Sequence, residues 1–137
     1  PDLVTFTTDP LPTAVDVIGS PTLELALEVD VPHADIFVRL CDVDERGRSR
    51  NFTDLYRRLD PVPPGAVQRL TLTLDQCFHR LLAGHRLRLQ VAGGAFPRYA
   101  RNLGTPGTPA DGRTMRPSVH TIHCVDSRLI LPVAAAD

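Results

Sequence analysis

Acyl transfer needs a nucleophile, a histidine to take its proton and a carboxylate to orient that histidine. The 137-residue chain has candidates of each type: Ser20, Ser49, Ser118 and Ser127, Cys41, Cys77 and Cys124, and His79, His85, His120 and His123. None of the serines lies in a Gly-x-Ser-x-Gly sequence, the form that lifts a nucleophile onto a sharp strand-to-helix turn. Each sits in a turn or at a strand edge, and Ser118 and His120 are related only by standing two residues apart. These positions point away from catalysis by this chain alone. His120-Thr121-Ile122-His123 invites a metal reading, but on a strand an odd separation sends the two rings to opposite faces. His120 and Cys124 share a face without a third ligand, so structural roles are expected for these histidines, with no metal and no cofactor.

A second constellation is richer. After a strand from Gly84 to Val91 comes Phe96-Pro97-Arg98-Tyr99-Ala100-Arg101-Asn102, and Arg113 and Arg116 follow with only Asp111 to balance them. Arginine favours interfaces because its planar fork pairs with carboxylates and stacks on rings. Asn102, among glycines and prolines, suits the satisfaction of backbone groups in a tight turn. Docking is the expected use of a loop this long. A small sugar platform built from Phe96 and Tyr99, with Arg98 and Asn102 nearby, is the alternative.

The elements that must hold these residues read as strands. His85, Leu87, Leu89 and Val91 alternate with Arg86, Arg88 and Gln90, and Gly93-Gly94 ends the run. From Thr22 to Asp30, Leu23, Leu25, Leu27 and Val29 oppose Thr22, Glu24, Glu28 and Asp30, with Ala26 ambiguous on the polar side. Ala34 to Val43 carries apolar residues on both faces, the pattern of a covered central strand. Asp44-Glu45-Arg46-Gly47 is a turn, and Val67 to Leu74 turns Leu70, Leu72 and Leu74 inward. Val119–Val125 and Arg128–Val133 form a last pair bent around Asp126-Ser127. Helix is expected only over Thr53–Leu59, capped by Thr53 or Asp54, and in a turn from Asp75 to His79. Thirteen prolines break the chain into short pieces, which indicates a β-sandwich or barrel.

Length suits one domain, residues 1–137, with a single core. The net charge of −1 supplies no field for nucleic acid. No apolar run reaches the length of a membrane span. All 15 basic residues are arginine, read here as biased codon usage in a GC-rich genome. Three widely spaced cysteines make neither a disulfide framework nor a metal pattern, and a cytoplasmic location is expected. Cys41 and Cys124, inside strand-like runs, are expected to be buried. The start at Pro1-Asp2 leads to the expectation of a piece excised from a longer product.

Gly84-His85-Arg86-Leu87-Arg88-Leu89 followed by Phe96-Pro97-Arg98-x-x-Arg101-Asn102 resembles the C-terminal domain of the X-Pro dipeptidyl-peptidase and cocaine-esterase family of serine hydrolases. The likeness extends to Val4–Leu11, to Gly19-Ser20-Pro21, to Val38–Val43 with Gly47-Arg48-Ser49, and to Ser127–Pro132. It implies an all-β jelly roll of the galactose-binding-like type, noncatalytic in itself, in which Thr53–Leu59 is an extended stretch rather than a helix. It also implies a parent with α/β-hydrolase and helical cap domains N-terminal to Pro1, whose Ser-Asp-His triad lies outside this sequence. The parent would cleave an acyl ester or amide, or release an X-Pro dipeptide. This domain would pack on the catalytic domain, stabilise it and shape its substrate cleft. The residues expected to carry that docking and mark the family are Gly84, His85, Arg86, Phe96, Pro97, Arg98, Arg101 and Asn102. Cut from its parent, the docking face is expected to self-associate into a homo-oligomer. The alternative implied by the fold is a module that binds a saccharide or another small polar ligand.

Overall fold

The computed structural model describes residues 3–59, 61–96, 98–106, 112 and 114–135. Among them the chain forms ten strands: β1 (Leu3–Thr7), β2 (Val15–Gly19), β3 (Thr22–Val29), β4 (Ala34–Val43), β5 (Ser49–Leu59), β6 (Val67–Thr73), β7 (Cys77–Leu81), β8 (Arg86–Ala92), β9 (His120–Ile122) and β10 (Arg128–Ile130). The helical structure described is one 3-10 turn, Cys124–Asp126. All pairings among the described strands are antiparallel, and four of them are nested: β4 with β5, β3 with β6, β2 with β7 and β1 with β8. One sheet runs β1-β8-β4-β5, a second runs β10-β3-β6, and β2 with β7 makes a ribbon.

Period-two patterning places the core between the sheets. Leu23, Leu25, Leu27 and Val29 of β3 face Ile36, Val38 and Leu40 of β4 and Leu87 and Val91 of β8 within one buried cluster. Strand β4 lies between β8 and β5 and is buried at eight of its ten positions, as its two apolar faces required. Ala26 is buried although it falls on the polar side of β3. The 3-10 turn lies over it, with the Ala26 amide donating to Ser127 Oγ (3.0 Å) and its carbonyl accepting from the His123 amide (2.9 Å).

Four expectations are corrected. Thr53–Leu59 is not the helix its residues suggest but the extended stretch the resemblance implies; it belongs to β5, whose backbone is committed to the β4 ladder from Ser49 to Leu59. Cys77, Phe78 and His79 are not a helical turn but the start of β7, paired with β2. The segments around Ser127 do not pair with each other; β9 and β10 both line one edge of β3. Cys124 is exposed because it stands in the 3-10 turn rather than in a strand, whereas Cys41 is buried in β4.

Candidate functional site

With Ile36, Val38 and Leu40 turned inward, alternation sends Asp35, Phe37 and Arg39 to the outer face of β4. Their partners across the ladder are Arg58, Tyr56 and Asp54 of β5. This outer face is covered by the segment that follows β8. Arg98 donates from its Nη1 to Asp54 Oδ2. The Tyr99 ring stacks on Tyr56 at 4.1 Å, 7° from parallel, and lies 6.4 Å from Phe37. Asn102 donates from Nδ2 to Asp35 Oδ1 (3.0 Å), and its Oδ1 accepts from the Gly104 amide (3.0 Å). The segment is a clasp read out position by position by 54, 56 and 35. Its return is closed by Arg116, whose amide donates to the Leu103 carbonyl (2.6 Å). Gly104 allows that closure: its φ is +72°, and a Cβ there would stand 2.5 Å from the Arg116 carbonyl oxygen.

Asp35 is the hub of this face. It is 1% exposed and accepts from Tyr56 Oη (2.7 Å), Arg58 Nε (3.1 Å) and Asn102 Nδ2. Its carbonyl oxygen takes the Nε2 of His120 at 3.0 Å, which gives that histidine a structural partner. Nothing in the sequence singled Asp35 out except an acid beside a long apolar run. Arg39 lies over the Phe37 ring at 5.1 Å, and its Nε is buried without a hydrogen-bond partner among the described residues. Burial pushes the Tyr56 phenol above its ordinary value, and the Asp35 carboxylate beside it adds to that shift. The Asp35 hydrogen bond likewise holds the Arg58 guanidinium above its usual range. A proton held more tightly in the folded state stabilises it fully below the ordinary tyrosine value, and that gain is lost as pH rises through the higher folded one. Stability is therefore expected to fall above about pH 10, where a free tyrosine ionises. Tyr56→Phe should flatten that alkaline limb in a pH series of thermal midpoints; an identical limb in the variant would rule Tyr56 out as its source.

The other residues expected to carry docking divide into groups. Phe96 is 61% exposed, and Arg101 stacks over its ring at 4.4 Å; Phe96, Ala100, Arg101 and Leu103 border a surface hollow of about 330 Å3. Tyr99 is taken up by Tyr56, so Phe96 and Tyr99 do not form one sugar platform. Gly84, His85 and Arg86 stand at the opposite end of β8, roughly 20 Å away for seven residues at about 3.4 Å each. There His85 Nδ1 and His79 Nε2 both meet Asp42, at 2.7 and 2.8 Å, and His79 stacks on Phe52. Arg86 donates to the Thr8 carbonyl (3.0 Å), and Gly84 has a φ of +84° with Glu45 packed against it. Pro97, Arg113 and Asp111 lie outside the described residues. Ser127 closes the 3-10 turn, donating to the His123 carbonyl at 2.8 Å.

Comparison with known proteins bears on the family and the fold. Residues 1–129 match the family model described as the X-Pro dipeptidyl-peptidase C-terminal non-catalytic domain. A protein of Mycobacterium bovis, named provisionally as a serine esterase, is 29% identical over 96% of this chain and 24% of its own length. The cocaine esterase of a Rhodococcus species is 27% identical over 96% of this chain and 25% of its own. The chain thus spans about a quarter of the curated relatives it matches. The solved structure of an aminopeptidase from a Thaumarchaeota archaeon superposes with a TM-score of 0.87 at 22% identity, covering 98% of this chain and 26% of that one. That likeness is one of fold. The chain belongs to the family of X-Pro dipeptidyl-peptidase C-terminal non-catalytic domains.

Proposed function

We propose that this domain is the docking and stabilising part of a larger serine hydrolase, whose α/β-hydrolase and cap domains precede it in the same chain. The observation that carries this reading is the division of labour in the clasp. Arg98 and Asn102 are engaged inside the domain, on Asp54 and Asp35. Phe96 and Arg101, stacked on each other, are turned outward beside an open hollow. An exposed aromatic ring with an arginine is the composition of an interface anchor. The relatives' length, four times that of this domain, supports a preceding body for that anchor to meet. The parent's reaction is hydrolysis of an acyl ester or amide, in keeping with what the relatives are named for. The nested strand pairing supports a jelly-roll winding, and three free cysteines support a cytoplasmic location.

The test uses the full-length parent. Phe96→Ala and Arg101→Ala are each expected to lower its thermal midpoint or its ester turnover, at a cost of about 1–3 kcal/mol of docking. Unchanged midpoint and turnover in both variants would remove the docking assignment.

A further inference from the structure

The two sheets do not close over strand β1. Val4 and Phe6 pair with Val91 and Leu89, whose side chains point into the core, so they too are turned inward. They are nevertheless 42% and 37% exposed. All five residues of β1 are exposed, and β1 is an edge strand. Opposite Phe6, across an open cleft, stand Leu23 and Leu25 of β3, Ile122 of β9 and Leu129 of β10. The cleft has an open volume of about 120 Å3. A cavity near 150 Å3 lined by such residues accepts a benzene ring, so this smaller one suits a single aliphatic side chain. Its polar neighbours are already engaged. Ser127 bonds to the His123 carbonyl and the Ala26 amide, and Arg128 pairs with Glu24. The rest of the described lining is apolar apart from the Cys124 thiol.

We propose that an apolar side chain from the preceding, catalytic portion of the parent chain fills this cleft and completes the core along β1. The source rests on the reading above, that the domain follows a hydrolase body. Connectivity favours it, because β1 is the first strand of the domain and forms one wall of the cleft. A body joined to β1 is held beside the cleft at a high effective concentration. The same end is also near the clasp, since Leu3 pairs with Ala92, the last residue of β8 before it. A single preceding body can therefore meet both the cleft and Phe96.

Cys124 borders the cleft and is exposed in the domain by itself, so its thiol reports whether the cleft is covered. The experiment labels the native full-length parent with a bulky maleimide and follows the Cys124 peptide by mass spectrometry. Labelling is expected to be at least roughly tenfold slower than in the same protein unfolded. Labelling at the unfolded rate would overturn the proposal. Protection that disappears on dilution would also overturn it, because the occupant would then be a second copy. The outcome is separable from the clasp test. Slow labelling with unaffected Phe96 and Arg101 variants would leave the cleft assignment standing and remove the clasp. Rapid labelling with damaged variants would do the reverse.

Discussion

Asp35→Ala is expected to lower the stability of the domain by about 3 kcal/mol or more, a fall of roughly 10 °C in its thermal midpoint. The carboxylate is buried, and every group facing its oxygens is a donor: the Tyr56 hydroxyl, the Arg58 guanidinium and the Asn102 amide. Removing it strands all three. Arg58 is 34% exposed at its side chain and can regain some water, which keeps the loss toward the lower end for a broken buried pair. Asp35→Asn should do little better, because its amide nitrogen would face donors rather than acceptors. The clasp should loosen as well, since Asn102 loses its anchor. Thermal unfolding of both variants checks this, and a midpoint within a degree or two of the parent's would refute the hub role.

Leu40→Ala is expected to cost about 3–5 kcal/mol. Leu40 is fully buried in the central strand, with Leu89 of β8 and Thr53 of β5 as its ladder partners. Hydrogen bonds on both sides prevent β4 from shifting to fill the void, so little of the cavity can collapse. In urea the midpoint should fall while the slope stays the same, because the surface exposed on unfolding hardly changes. Leu40 lies on the inner face of β4 and Asp35 on the outer, with no shared partner, so the two losses should add. Their sum approaches the whole stability of an ordinary domain, and the double variant is expected not to fold.

The sequence was legible where burial has a period. Leu23, Leu25, Leu27 and Val29 announced one face of β3, and the mixed faces of Ala34–Val43 announced a covered strand. It was misleading where a strand face is stabilised by distant polar partners. Asp54, Tyr56 and Arg58 look like a solvated helix surface because their partners, Arg98, Tyr99 and Asp35, are far away in sequence. The apolar face of that segment is short, so no strong alternation corrected the error, and only the resemblance pointed to an extended stretch there. The clasp was recognisable as a cluster of unusual residues, but its division was not. Spacing alone did not distinguish Arg98, which turns onto Asp54, from Arg101, which stacks on Phe96. Asp35 escaped notice because a lone acid beside an apolar run carries no signal of the donors converging on it. Cys124 looked like a strand residue because the 3-10 turn breaks β9 from β10 without a glycine or proline to mark it.

The nested pairing also sets an order of assembly. The β4–β5 hairpin closes across the short Asp44–Arg48 turn and loses little chain entropy in doing so. Each outer pair then encloses a longer loop, and β1 with β8 encloses nearly all the others. Contacts so distant in sequence form slowly. The first strand of the domain is thus among the last to find its place, and until β8 arrives it has no partner among the described strands. For a chain made from its N-terminus, Val4 and Phe6 wait with their apolar side chains unpaired until Val91 and Leu89 have been made.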